Sequence, residues 1–145
     1  MVDTGLTFTK AVAEGHSYVS FGPILEMDQK PGEIYQVNSD QKFNLKLDAK
    51  SLTDIKEVIV MTGDSKDNYE SETLIGAYQK DSYGTHIKYD KALTDQAATI
   101  AGDKKTAAVD LSLAVDSGKK TWVSILVMDV NGNYAVTNPF WIDGK

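Results

Sequence analysis

At 145 residues the chain has room for one domain with a full-sized core, or for such a domain with a short appendage. Fifteen lysines, no arginine and a net charge of −6 exclude a nucleic-acid binder that relies on arginine contacts to phosphate and guanine, and the absence of cysteine excludes disulfides and thiolate metal sites. No apolar run approaches the roughly 20 residues that span a bilayer, so no membrane insertion is expected, and Met1-Val2-Asp3 lacks the basic and apolar regions of a signal peptide.

Leu6 to Glu14 is the one segment that reads as a convincing helix. Thr4 or Thr7 can cap its start, Phe8, Ala11 and Val12 share a face, and Gly15 is placed to end it in a left-handed conformation. His16 to Met27 is rich in β-formers and broken at Gly22-Pro23, and Lys30-Pro31-Gly32-Glu33 is a turn by composition. From Gln41 to Lys50 the alternation is clean, with Phe43, Leu45, Leu47 and Ala49 opposite Lys42, Asn44, Lys46 and Asp48. That pattern predicts a half-buried strand with one wet face. The Val58-Ile59-Val60-Met61 run within Ile55 to Thr62 predicts a second central strand. Gly63 to Ser71 reads as a loop, and Glu72 to Gln79 and Ser82 to Tyr89 as weaker strands joined at Lys80-Asp81. Lys91 to Lys104 fits a helical turn around Ala97-Ala98 or a long loop equally well. Ala107, Val109, Leu111, Leu113 and Val115 alternate, and Ser117-Gly118 turns the chain into its closing stretch.

That stretch, Thr121 to Ile142, organises the rest. Val123, Ile125 and Val127 fall on one face of an extended segment, and Trp122, Leu126, Met128 and Val130 on the other. Neither face suits water, which predicts a strand in the middle of a sheet, with Trp122 in the core. Asn131-Gly132 offers the positive φ of a tight hairpin turn, and Tyr134 to Thr137 returns as the partner strand. Pro139 removes a ladder donor, which predicts that Phe140 to Ile142 lies at a sheet edge. Seven to nine short strands at roughly ten-residue spacing predict an antiparallel β-sandwich.

Chemistry is sparse. His16 and His86 stand seventy residues apart, and no Gly-rich phosphate loop or serine elbow is present. Fifteen Asp and six Glu mostly alternate with Lys on wet faces. Asp129-Val130-Asn131-Gly132-Asn133 has part of the spacing of a calcium loop, but position twelve would be Phe140 where a bidentate Glu is needed, so a hairpin turn is expected. The aromatic residues could form a sugar-stacking platform, yet Trp122 and Trp141 both lie inside apolar runs, where a core role is usual.

Two segments carry a family resemblance: Ala11 to Pro23, AVAEGHSYVSFGP, and the hairpin from Asp129 to Trp141. Together they resemble the C-terminal portion of metallohydrolases of the polymerase-and-histidinol-phosphatase (PHP) superfamily. There a last helix of the barrel-like catalytic domain runs through Tyr-Val-x-x-Gly-Pro into an immunoglobulin-like sandwich. That sandwich closes with Asp-x-x-Gly-x-x-Ala, then Asn-Pro and a short apolar strand. Ala11, Gly15, Tyr18, Val19, Gly22 and Pro23 match the first part, and Asp129, Gly132, Ala135, Asn138, Pro139 and Trp141 are similar to the second. His16 stands where Arg is usual and Phe140 where Ile is usual. The superfamily's metal ligands, a His-x-His and later Glu, His and Asp-x-His, have no counterpart in the chain.

The resemblance implies an all-β fold, an immunoglobulin-like antiparallel β-sandwich with a short N-terminal helix. Residues 1–16 would be the helix remaining from a preceding catalytic domain and residues 17–145 the sandwich. The expected role is that of a non-catalytic accessory domain of a metal-dependent phosphoesterase, with no catalytic, cofactor-binding or metal-ligating residue of its own. Its expected partners are the parent's catalytic domain and, weakly, a second copy of the chain through the N-terminal helix; nucleic acid is not among them. The alternative is a free-standing binding or adhesion module of a bacterial surface protein, taking a glycan or a protein. Composition leaves the compartment open.

Overall fold

The computed structural model describes residue 10 and residues 12–64, 78–80, 86–88 and 91–145, with side chains described for residue 10 and residues 12–63 and 91–145. The strands are β1 Tyr18–Ser20, β2 Ile24–Met27, β3 Ile34–Val37, β4 Phe43–Lys50, β5 Ile55–Asp64, β6 Tyr78–Lys80, β7 His86–Lys88, β8 Ala98–Ile100, β9 Thr106–Leu113, β10 Lys120–Asp129, β11 Tyr134–Thr137 and β12 Phe140–Gly144, with a helix at Lys91–Ala97. One sheet has the order β2-β4-β9-β8. In the other, β10 is central, with β5 on one side and β11 and β12 in succession on the other, while β1 joins β11 and β3 joins β12. With β2, β4, β9 and β8 as strands A, B, E and D, and β5, β10 and β11–β12 as C, F and G, these are the ABED and CFG sheets of a constant-type immunoglobulin sandwich, to which β1 and β3 add at the outer side of the second sheet. The fold is an immunoglobulin-like, all-β sandwich. The small hairpin β6-β7 lies in the connection between β5 and β8.

Alternation builds the core. Phe43, Leu45, Leu47 and Ala49 of β4 join Ala107, Val109 and Leu111 of β9 in one buried cluster. The same cluster contains Val58 and Val60 of β5, Val123, Ile125 and Val127 of β10, and Phe140 and Ile142 of β12. Burying an aliphatic or phenyl side chain of this size contributes about 1.5–3 kcal/mol, so an interior of this kind holds the two sheets without a disulfide. The strands that carry the inter-sheet cystines of antibody domains, β4 and β10, present Leu45, Leu47, Val123 and Ile125 to the core instead.

Several expectations hold. β4 and β11 have their expected limits or nearly so, Gly15, Gly118 and Gly132 all have positive φ, and β10 is the central strand. Of the helix expected over Leu6 to Glu14, most lies outside the described residues; Lys10, Val12 and Ala13 are helical, and Gly15 ends the segment at φ 76°. β5, expected as a second central strand ending at Thr62, instead pairs only with β10 among the described strands and runs on through Gly63 and Asp64, where a loop was expected. The rest of that loop and parts of the two weak strands that follow lie outside the described residues.

Other expectations need correction. β12 is no edge strand, because it lies between β10, antiparallel, and β3, parallel. Pro139 sits in the break between β11 and β12, where no ladder donor is missed, and its carbonyl accepts from the Gly32 amide at 2.8 Å. The closing turn holds three residues rather than two: the Gly132 amide donates to the Asp129 carbonyl at 3.1 Å and Gly132 alone takes positive φ. Of the two readings left open for Lys91 to Lys104 the helical one holds, with Lys91–Ala97 a helix followed directly by β8 and Thr94 and Ala97 buried. The strand count exceeds the expected seven to nine, because the chain before β4 divides into short pieces shared between both sheets. β1 pairs in one sheet and β2 in the other, so Gly22-Pro23 is the crossing point between them.

Candidate functional site

The residues of interest lie in three places. His16 stands where the N-terminal segment meets the sandwich, with Nδ1 3.5 Å from Glu14 and Nε2 3.4 Å from Glu33. The two carboxylates face opposite edges of the ring, so the three groups bracket an imidazole and do not converge on a common ion. His86 falls on β7, and its side chain lies outside the described residues. Among the described residues no cluster of three His, Cys, Asp or Glu side chains is disposed to hold a metal.

Asp129 is buried at 1% exposure, and donors occupy both of its carboxylate oxygens. Oδ1 accepts from the backbone amides of Asn131 and Asn133, each at 2.9 Å. Oδ2 accepts from the Asn133 side-chain amide at 3.0 Å and from the Thr53 hydroxyl. The Thr53 bond, followed by those of the Asn133 side chain and the two amides, holds the carboxyl below the usual carboxylate range although burial opposes it. This is a staple that joins the closing turn to the loop before β5. Its lone pairs face N–H and O–H donors, the opposite of what a cation requires.

The two segments that carry the family resemblance meet along one seam. β1 pairs with β11 as Tyr18 to Thr137, Val19 to Val136 and Ser20 to Ala135. The Asn138 side-chain amide donates to the Gly15 carbonyl at 2.9 Å and to the Ser17 hydroxyl at 3.2 Å. Gly32, at φ 83°, comes so close to the Gly15 carbonyl that no side chain would fit there. A Cβ on Gly22 would press on Asn133 and sit beside the Asp129 carboxylate. The seam thereby fixes how the segment around residues 10–15 leaves the sandwich. Sequence alone located both halves but not their contact, because 123 residues separate Gly15 from Asn138.

The outer face of the β10 sheet is the third place. Trp122 pairs with Trp141 across β10 and β12, and Trp141 with Ile34 across β3, on the face opposite Val123 and Phe140. Trp122 is half-buried, not a core residue as expected. It belongs to a second cluster with Ile59, Met61 and Leu126, because residues of its parity on β10 point away from the main core. Its ring lies over Gly63 of β5, where any Cβ would overlap it. The Lys120 ammonium stands 5.7 Å from the Trp141 ring centroid, and Ile34 is 54% exposed. Farther along, Val19 is 50% exposed and Phe21 63%, its ring 5.4 Å from that of Tyr134. This apolar ridge was hidden in the sequence, since the runs that contain both tryptophans look like core from either side.

Comparison with known proteins adds no argument to what the structure itself shows. Neither a scan of family models nor a search of curated proteins finds a match. Among solved structures, murine CRIg is similar over 85% of this chain and 98% of its own, at 10% identity and a TM-score of 0.35. Astrotactin-2, a perforin-like membrane protein of vertebrates, is similar over 88% of this chain at 12% identity and a TM-score of 0.40, and the chain spans 23% of its length. Both TM-scores are too low to carry an argument about fold or function. No described helix is long and apolar enough to cross a membrane, which leaves β-barrels unaddressed.

Proposed function

We propose that the chain is a non-catalytic accessory β-sandwich of a PHP-type metal-dependent phosphoesterase, held against that enzyme's catalytic domain. The seam supports this reading. The residues that resemble the family's helix-to-sandwich passage contact those that resemble its closing hairpin, through Asn138 to Gly15 and through the β1-β11 ladder. A preceding domain would thus be held at a set orientation, as an accessory module that shapes access to an active site requires.

The reading frame that encodes the chain tests the proposal. A catalytic-length region with a His-x-His near its start is the expected finding; tandem sandwich repeats or a surface anchor would overturn it. The chain by itself is expected to leave an aryl phosphate intact in the presence of manganese. Hydrolysis that disappears in His16→Ala or His86→Ala would contradict the non-catalytic role.

A second reading, a free-standing binding or adhesion module, is favoured by the outer face of the β10 sheet. Trp122, Trp141 and Ile34 form an in-register row there, and apolar surface of that kind often marks a contact site. The two readings divide on whether that row meets a domain of the same polypeptide or a separate ligand.

A further inference from the structure

At the open edge of the sandwich, β3 of one sheet runs beside the start of β4 of the other, and a groove of about 500 Å³ lies between them. Its size falls in the range of small-ligand sites. Buried Val37 and Phe43 form its floor, and the Tyr35 ring stands against Phe43 with centroids 5.1 Å apart. The Tyr35 hydroxyl accepts from the Lys30 amide at 2.8 Å, which fixes the ring in place.

Around this aromatic wall stand four primary amides, those of Gln29, Gln36, Gln41 and Asn44. Three are tied at one end and open at the other. Gln29 accepts from the Lys46 amide through Oε1, which leaves its NH2 to donate. Gln36 donates to Asp143 and Asn44 to the Lys42 carbonyl, which leaves two side-chain carbonyls to accept. Gln41 has no side-chain partner among the described residues, so its amide offers both functions. The lining contains no carboxylate and a single cation, Lys42.

We infer that this groove binds a neutral oligosaccharide. A sugar carries neighbouring hydroxyls that each donate and accept, the pattern that fixed amide donors and acceptors satisfy. Its C–H faces match the Tyr35 ring, much as apolar surface packs on aromatic faces elsewhere. Metal ions would need carboxylates, and a phosphorylated ligand would need a cluster of cations, normally including arginine. The groove adjoins the Trp122–Trp141 row, since Tyr35 and Gln36 follow Ile34 along β3 and pair with Ile142 and Asp143 next to Trp141, and the inference stands whatever precedes the sandwich.

The test is a titration of the full, isotope-labelled chain with cellotetraose, maltotetraose, chitotetraose and mannotetraose, followed by amide NMR. Each is taken to about 10 mM, so that even millimolar affinity registers. At least one tetrasaccharide is expected to shift the side-chain amides of Gln29, Gln36, Gln41 and Asn44 on a single saturable curve. Gln36→Ala combined with Gln41→Ala, both exposed positions, should weaken binding at least tenfold and leave the spectrum of the core unchanged. The absence of a shift with all four sugars would overturn the inference. So would shifts confined to Trp122 and Trp141, undiminished binding by the double variant, or a groove that responds only to an extended peptide added in their place.

Discussion

Thr137 illustrates how one side chain repairs a fault in a sheet. β11 pairs with β10 at Leu126 to Met128 and β12 pairs with it at Lys120 to Val123, so Ser124 and Ile125 face the break that Pro139 occupies. The Thr137 hydroxyl accepts the Ile125 amide at 3.0 Å, and the Ser124 hydroxyl donates to the Thr137 carbonyl at 2.7 Å. Thr137→Val keeps the shape and orphans a buried N–H, so it is expected to cost about 1–3 kcal/mol in urea denaturation. Thr137→Ser should retain most of the stability; equal losses in both variants would mean that packing, not the hydrogen bond, matters. The aromatic residues give a second contrast. Phe140 is fully buried, and Phe140→Ala should cost about 3–5 kcal/mol. Trp122→Ala, on the half-buried outer face, should cost clearly less than that in the same measurement. A Trp122 variant as damaging as the Phe140 variant would restore the core role first expected for it.

At the scale of elements, the edges show how the sheet is finished. The helix Lys91–Ala97 packs beside β5, and its buried Thr94 hydroxyl accepts the Val60 amide at 2.9 Å. A strand rim that would otherwise offer its donors to another chain is thus occupied at that point. The N-terminal helical segment is less well provided for. Val12 is 50% exposed, and a helix this short is marginal without tertiary contacts. Pairing with the same segment of a second chain is therefore proposed, through a small and concentration-dependent interface. Sedimentation of the full chain should show a weak dimer that a chain starting at Ser17 lacks. Monomers in both cases, with freely exchanging amides before Gly15, would dismiss the pairing.

For the whole molecule, acidic groups set the response to pH. The carboxyls of Asp54, Asp103, Asp116 and Asp129 are all held below the ordinary value, mainly by hydrogen bonds from Lys105, from the Lys105 amide, from Lys119 and from Thr53 respectively. In each case the folded pKa lies below the unfolded one, near 3.9 for Asp, so the unfolded chain takes up protons first. The stability they confer is present above about pH 4 and is lost as the pH falls through the folded values. Thermal melts from neutral pH into acid should show this decline. Asp129→Asn should lower the neutral melting temperature by several degrees and flatten its acid dependence, and an unchanged pH profile would mean that the staple is not what titrates. Calcium should not raise the melting temperature of the native chain. A ligand at 100 times its Kd would add about 2.7 kcal/mol, an effect too large to overlook.

Period-two alternation was enough to reveal β4 and β9, because an apolar residue at every second position has one stable arrangement, a strand with one face on a core. The central place of β10 was legible because both of its faces are apolar. Gly15, Gly32, Gly118 and Gly132 were legible as turn formers for a similarly local reason, since all adopt the positive φ that costs glycine little. What sequence could not decide were properties of pairs of strands. Whether Phe140 to Gly144 lies at an edge depends on β3, more than a hundred residues earlier, arriving beside it. The side of the sheet that Trp122 faces is set by the register of β10 against β5 and β12, and a one-residue slip would exchange the faces. The amide groove exists because β3 and the start of β4 belong to different sheets that meet at an open edge. Local chemistry specifies the strands; only their long-range pairing, whose closure entropy must be offset by the whole core at once, decides which side chains end up together.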